Sequence, residues 1–280
     1  MLVPRQMDKP VGAAPKSQDV RDYLRVRRPV AAMAKDFAAG YVIPEDTHTR
    51  GQLVHAVAGV MTVATAHGIW VVPPERAVWV PPCTAHSTRM SGRVAMRTLY
   101  IRAAECARLP GRCCVVPVTP LLRELIVRAC DLPLAYDARG APGRVMDLIL
   151  DELHGMRTLP LHLPRPRDAR VAKICDALLR DPGDASALPQ WAVRVGASER
   201  NLARLFVRET GMSFARWRAQ ARLIAALERI AGGAGVTRTA LDLGYASPSA
   251  FTAMFRKMLG VAPRDYFSLQ STPHQRQGIA

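Results

Sequence analysis

Val-Gly-Ala-Ser-Glu-Arg-Asn-Leu-Ala-Arg-Leu-Phe (195–206) and Leu-Gly-Tyr-Ala-Ser-Pro-Ser-Ala-Phe-Thr-Ala-Met-Phe (243–255) are two copies of one pattern. With the serines aligned, Ser198, Leu202, Leu205, Phe206 and Gly211 fall on Ser247, Phe251, Met254, Phe255 and Gly260, a constant offset of 49 residues. The turn before the serine is one residue longer in the second copy. Each copy reads as a helix, a glycine-containing turn and a second helix with an apolar rear face, the signature of a helix-turn-helix. Two such units in tandem, within 188–267, point to a protein that reads DNA.

The two outer faces differ. In the first copy a helix from about Leu188 leads to Gly196, and Ser198 is placed to cap the next helix. At about 100° per residue, Leu202, Leu205 and Phe206 gather on one side. Arg200, Asn201, Arg204 and Arg208 gather on the other, with Glu199 and Glu209 outside that stripe. Arg and Asn pair bidentately with guanine and adenine edges in the major groove, so this face is expected to contact bases. In the second copy Ser247 caps the helix and Pro248 takes the first helical position, where its missing N–H does no harm. Its outer face holds Ser249, Thr252, Ala253 and Arg256, small and weakly polar, and backbone contact and shape are expected to matter more there. Between the units Ser213 caps a helix predicted from Phe214 to about Ala231, stopped by Gly232-Gly233. Its length of roughly 27 Å at 1.5 Å per residue is compatible with two helices entering grooves about 34 Å apart.

A chain of 280 residues has room for about two domains. The formal net charge of +16 favours an anionic partner. Residues 168–280 carry 16 Lys and Arg against 9 Asp and Glu, +7, and the remainder of the chain carries +9. The excess is spread, so charge alone does not say which half meets DNA. The start of the chain has no apolar run of signal-peptide type, and no stretch approaches the roughly 18 apolar residues of a membrane span. The six cysteines include no Cys-x-x-Cys pair and read as structural thiols of a reducing compartment. A cytoplasmic location without membrane contact is expected.

Residues 1–27 read as a flexible basic arm. From about Val30 to Val116 the signals are those of short strands: 53–58 and 60–65 around Gly59, then 69–72, 77–80, 86–90 and 94–101, separated by Ala66-His67-Gly68, Pro73-Pro74, Pro81-Pro82 and Ser91-Gly92. Short Val-rich strands ended by Gly and Pro argue for a small antiparallel barrel or sandwich. From Thr119 the period becomes helical. Leu121, Leu122, Leu125 and Ile126 form one stripe, and Val145, Leu148, Ile149 and Leu153 another, both expected to pack on the barrel. Met146 and Leu150 widen the second stripe, which makes its outer face a candidate contact between two copies of the chain. Residues 159–167 hold three prolines and read as a linker. The expected organisation is an α+β chain: arm 1–27, barrel with helices 28–158, linker 159–167, all-α DNA-binding domain 168–270 of two helix-turn-helix units joined by a long helix, and flexible tail 271–280.

The second domain resembles the AraC/XylS family of transcription regulators over 168–267. The likeness is carried by Gly-Met-Ser-Phe-Ala-Arg-Trp-Arg (211–218), by Ala-Leu-Asp-Leu-Gly-Tyr-Ala-Ser-Pro-Ser-Ala-Phe (240–251) and by Phe-Arg-Lys…Gly-Val-Ala-Pro-Arg-Asp-Tyr (255–266). The resemblance implies two recognition helices in adjacent major grooves. Its readers fall on Arg200, Ala203 and Arg204 in the first and on Pro248, Ser249, Ala250 and Ala253 in the second.

The first domain resembles the cupin-type sensor of the same family, through Asp-Thr-His-Thr-Arg-Gly-Gln-Leu (46–53) and Val-Trp-Val-Pro-Pro-Cys-Thr-Ala-His (78–86), and in particular its NimR-like branch, whose members often control a neighbouring transporter gene. Cupin enzymes hold a metal with His-x-His, a following Glu and a later His. Here His48 and His86 match, but Arg50 stands where the second His belongs and no Glu follows, a poor divalent site. The resemblance instead implies an effector pocket with His48, Arg50, Gln52, His55 and His86 as polar groups among Trp70, Trp79 and Met61. These polar groups simply satisfying one another inside the barrel is the competing reading. No catalytic residue, metal or cofactor is expected. The alternative is a cupin metalloenzyme with an appended DNA-binding domain. The expected partners are double-stranded promoter DNA, RNA polymerase, a small-molecule effector and a second copy of the chain in a homodimer. Effector, operator and sign of regulation stay open.

Overall fold

The structure is a computed structural model describing residues 17, 19–156, 158 and 162–268, with 267 and 268 described in their backbone only. Most of the arm, residues 1–16 and 18, and the tail 271–280 therefore lie outside the described residues.

Among the described residues eight strands make one sheet, wrapped as an open barrel around a buried apolar cluster: β1 (Val30–Phe37), β2 (Val42–Asp46), β3 (Gly51–Thr65), β4 (Gly68–Val72), β5 (Arg76–Val80), β6 (His86–Ile101), β7 (Cys114–Pro117) and β8 (His162–Pro164). The hydrogen-bonded path runs β1-β6-β3-β4-β8, with β2 also on β6, and β5 bridging β3 and β7. All pairs are antiparallel. Two pairs of expected short strands are each one long strand. Gly59 does not end β3. It has φ +82, in the left-handed region that only glycine enters freely, and lies at a register shift against β6. An added Cβ there would come within 2.2 Å of the Arg93 carbonyl oxygen. The bulge also switches parity: Val54 and Ala56 face the barrel interior before it, Met61 and Val63 after it.

On the outer side of the barrel α2 (Pro120–Asp131) and α3 (Ala141–His154) bury Leu122, Ile126, Met146, Ile149 and Leu153 against Leu53, Trp79, Leu99 and Ile101. Two turns of arm sequence are held rather than free. The short helix α1 (Val20–Arg25), capped by Asp19, buries Tyr23 completely. The segment read as a linker is partly structural, since β8 extends the sheet by pairing with β4.

The C-terminal half is helical: α4 (Ala169–Arg180), α5 (Leu188–Arg194), α6 (Glu199–Thr210), α7 (Phe214–Ala231), α8 (Val236–Asp242), α9 (Pro248–Leu259) and α10 (Pro263–Ser268). The side chains of Ser198, Ser213 and Ser247 cap α6, α7 and α9 as expected, accepting from the N–H groups of Asn201, Arg216 and Ala250. Gly211 and Gly260, both with positive φ, end α6 and α9.

The long helix α7 is buried on several sides. Its apolar residues share one cluster with α4, α5, α6 and α9 and with Val60, Val71 and Leu163 of the barrel. The main-chain oxygen of Ala231 lies where a Cβ on Gly92 (φ +71) would sit, 2.3 Å away, so glycine there permits the close approach. Thr62 donates a hydrogen bond to Glu228.

Candidate functional site

Two regions carry the chemistry. The first is the exposed side of the paired helix-turn-helix units. α5 with α6, and α8 with α9, are the two copies, and their inward residues Leu202, Phe206, Phe251 and Phe255 are fully buried. This burial leaves Arg200, Arg204, Arg208, Ser249 and Arg256 exposed, with Asn201, Ser247 and Thr252 half-buried beside them. Arg204 Nη2 donates to Asn201 Oδ1 at 3.3 Å, which fans the two side chains across one face. Arg208 stands apart. Its guanidinium is paired with Glu209 at 3.1 Å, and the other oxygen of Glu209 accepts the main-chain N–H groups of Arg167 and Asp168. Those two hydrogen bonds, ahead of Arg208 itself, hold the Glu209 carboxyl below its ordinary pKa. The arginine stripe is thus less free of acid than helical projection indicated.

Several other arginines of this half are structural. Arg222 donates to the main-chain oxygens of Pro182 and Asp184, and Arg218 to that of Ser186. Arg194 lies over the Trp191 ring. Net charge overstates the number of guanidinium groups available to DNA.

The second region is a cavity of about 410 Å³ inside the barrel. Its base is formed by His48, Gln52, His86 and Tyr100, and its walls include Met33, Phe37 and Met96. Strand alternation places these groups: Met33, Lys35 and Phe37 are successive inward residues of β1, and His86 and Thr88 of β6. Sequence reading missed the β1 contribution, although the i, i+2, i+4 spacing of Met33, Lys35 and Phe37 carried the signal.

At the base, the Nε2 atoms of His48 and His86 lie 3.2 and 2.9 Å from Gln52 Oε1. Their Nδ1 atoms lie 2.7 and 2.9 Å from the main-chain oxygens of Arg50 and Thr84. The rings meet edge-on, centroids 5.3 Å apart. A neutral imidazole has one N–H, and here each ring faces two oxygens. Two adjacent imidazolium ions in a buried base would be costly, and burial lowers the His86 pKa, with the neighbouring His48 ring adding to that effect. The network closes without charge when the Gln52 amide turns over, a choice set by hydrogen bonding rather than shape. Its NH₂ then donates to both Nε2 atoms, each Nδ1–H donates to its carbonyl, and the amide oxygen receives the Thr98 and Tyr100 hydroxyls, 3.0 and 3.3 Å from the amide, the Thr98 hydroxyl turning to it from the Leu53 carbonyl.

Five residues expected in the pocket lie elsewhere: Met61 and Trp70 are packed in the apolar cluster of the barrel without lining the cavity, and Arg50, His55 and Trp79 have other partners. The Arg50 guanidinium donates to main-chain oxygens of Leu24, Val26, Arg28, Pro29 and Tyr100, pinning the end of the arm to the barrel. His55 faces the opposite side of β3 from Gln52, its Nδ1 donating to Arg76 O. Burial drives its pKa down to about 4, against the hydrogen bond to Arg76, so the ring is neutral. Trp79 is inverted likewise, its indole donating to Pro110 O at 2.7 Å within the α2/α3 layer. Period-two alternation already separates His55 from Gln52 and Trp79 from Val78 and Val80.

Among the described residues no three His, Cys, Asp or Glu side chains are grouped to hold a metal ion. Gln52, a poor metal ligand, fills the space between the two rings. No helix is long and apolar enough to cross a membrane among the described residues.

Comparison with known proteins agrees with this layout. The AraC-like ligand binding domain family matches residues 36–193, and the Helix-turn-helix domain family matches residues 191–268. The chain is 36% identical over 229 residues, 82% of its own length and 84% of the relative's, to the HTH-type transcriptional regulator NimR of Escherichia coli (strain K12). It is 35% identical to the HTH-type transcriptional regulator RipA of Corynebacterium glutamicum over 104 residues, 37% of this chain and 31% of that protein. Among solved structures, ToxT from Vibrio cholerae aligns over 88% of this chain and 100% of its own at 9% identity and a TM-score of 0.38, too remote to transfer any property. A barrel sensor followed by two capped helix-turn-helix units, matched along its length, makes this chain a member of the AraC family of transcriptional regulators, with an N-terminal ligand-binding domain and a C-terminal DNA-binding domain.

Proposed function

We propose that this regulator reads a specific operator chiefly through α6 and answers a small molecule bound in the barrel. The observation that carries the reading is the exposed Arg200–Asn201–Arg204 face of α6, where Arg204 leans on Asn201 and neither arginine is ion-paired among the described residues. Arg200 and Arg204 read base edges, Asn201 orients Arg204, and Arg208 serves the phosphate backbone. Ser247, Ser249, Thr252 and Arg256 position α9 through backbone and shape.

His48, Gln52, His86 and Tyr100 offer a neutral set of ring nitrogens, amide and hydroxyl to an effector whose body lies against Met33, Phe37 and Met96. The chain acts as a homodimer through the outer face of α2 and α3, where Leu121 and Leu148 are 50% and 40% exposed. It works in the cytoplasm with RNA polymerase, as a regulator rather than an enzyme. Its target is a neighbouring transporter gene, as the resemblance to the NimR-like branch implies.

The deciding experiment is fluorescence anisotropy with the promoter next to the gene and with a random duplex of equal length at fixed salt. A preference of about 10³-fold or more for the promoter supports specific regulation. Equal affinity for both makes the protein a nonspecific binder.

A further inference from the structure

Among the polar side chains on the outer side of α6 stands one aliphatic residue, Val207, which is 53% exposed. It takes no part in the apolar cluster beneath the helix, to which Leu202, Leu205 and Phe206 belong. A β-branched residue inside a helix costs helix propensity, and at this exposure it gains little packing within the chain. A single exposed aliphatic side chain is ordinary on a protein surface. The place of Val207 on the helix is what sets it apart.

At about 100° per residue, Arg200, Ala203, Arg204 and Val207 fall within about 100° of the helix circumference. Arg200 and Arg204 are exposed and Ala203 is half-buried. Val207 follows Ala203 by four residues and Arg204 by three, the spacings at which side chains meet on a helix surface. The outer face of α6 therefore has two edges side by side, one of guanidinium groups and one aliphatic. Arg208, the next residue, is tied to Glu209. The second unit has no such aliphatic edge: at the offset of 49, Ala203 and Val207 fall on Thr252 and Arg256.

In the major groove thymine presents a C5 methyl group that cytosine lacks, and apolar side chains recognise it by contact. We propose that Val207 is a further specificity-determining residue, which with Ala203 packs against the C5 methyl of an operator thymine beside the base pair read by Arg204. This contact rests on the reading of α6 as the principal recognition helix. Val207 lies roughly 4.5 Å along the helix axis from Arg204 at 1.5 Å per residue. A base-pair step is about 3.4 Å, so the thymine lies within about two steps of the Arg204 pair. Removing both apolar surfaces from water discriminates the methylated base without a hydrogen bond.

The test uses the full chain and the duplex it enriches from a random-sequence library. Each thymine of that duplex is replaced in turn by deoxyuridine, which lacks only the C5 methyl. Affinities of the wild type, Val207→Ala and Arg204→Ala are read by fluorescence anisotropy at fixed salt; alanine at 207 keeps the helix, being its best former. One replacement, within about two base pairs of the position where Arg204→Ala relaxes preference, is expected to weaken the wild type about fourfold, the contribution of one buried methyl group. The same replacement should leave the affinity of Val207→Ala unchanged. Equal losses in wild type and Val207→Ala at every thymine, or no sensitive thymine near the Arg204 position, would overturn the Val207 contact, while a position-specific loss in Arg204→Ala would keep α6 as the reader. No enriched duplex, or no position-specific loss in Arg204→Ala, would overturn both.

Discussion

Gln220 Nε2 donates to the main-chain oxygen of His162 across 2.7 Å, a bond between the linker helix of the DNA-binding half and the edge strand of the barrel. Gln220 is 2% exposed, so water is a poor substitute partner. Replacing it by leucine keeps the volume and removes the donor. Gln220→Leu is expected to cost about 1–3 kcal/mol of stability and to speed amide exchange in the β4–β8 pair. Hydrogen exchange by mass spectrometry checks it; unchanged exchange there would mean that the Val60, Val71 and Leu163 contacts and the Thr62–Glu228 hydrogen bond hold the two halves together without it.

Arg204 and Arg208 lie one helical turn apart and are expected to behave differently. Arg204→Ala should weaken operator binding by about 1–3 kcal/mol and relax preference at one base pair. Arg208→Ala should weaken all duplexes alike, because its guanidinium is already committed to Glu209. A scan of operator variants against each mutant separates the two, and a position-specific loss in Arg208→Ala would refute the assignment. The same scan of wild-type protein should find the half-site under α6 less tolerant than the half-site under α9. Uniform tolerance would count against reading by α6.

The base of the barrel makes a prediction about protons. With the Gln52 amide donating to both rings, His48 and His86 are Nδ1–H tautomers at neutral pH. Long-range ¹H–¹⁵N spectra distinguish the tautomers directly. Observation of Nε2–H on both rings would show that the amide oxygen faces them instead.

His55 gives the molecule an acid-side weakness. Its folded pKa of about 4 lies below its ordinary 6.5, so between those values the unfolded chain binds the extra proton. Stability is fully present above pH 6.5 and falls as the pH drops towards 4, by roughly 3 kcal/mol from this ring at about 1.4 kcal/mol per unit. His86, also lowered, acts in the same direction. Urea midpoints between pH 7 and pH 4.5 should fall less steeply in His55→Leu than in the wild type. Parallel curves would place the acid sensitivity elsewhere.

The helical half was the more legible because its signals are local. A serine cap, an apolar residue every third or fourth position and a glycine at the end lie within one element, and α7 runs over Phe214–Ala231 as read. The barrel was less legible because Gly59 and Gly92 look like strand ends. Only the pairing of β3 with β6 makes them interruptions inside continuous strands. The site followed the same division: His48, Gln52 and His86 converge, while Arg50 left the pocket for carbonyl groups of a segment more than twenty residues away.

By itself the sequence determined the tandem repeat, its caps, the apolar rear faces and the unequal outer faces, because each depends on residues within a few turns of one another. Tertiary structure alone decided which polar groups share the barrel, that Arg208 is tied to Glu209, and that β8 and α7 join the halves through His162 and Gln220. Those outcomes hinge on strand parity across a bulge and on which buried donor meets which carbonyl. Both are settled only when distant segments pack.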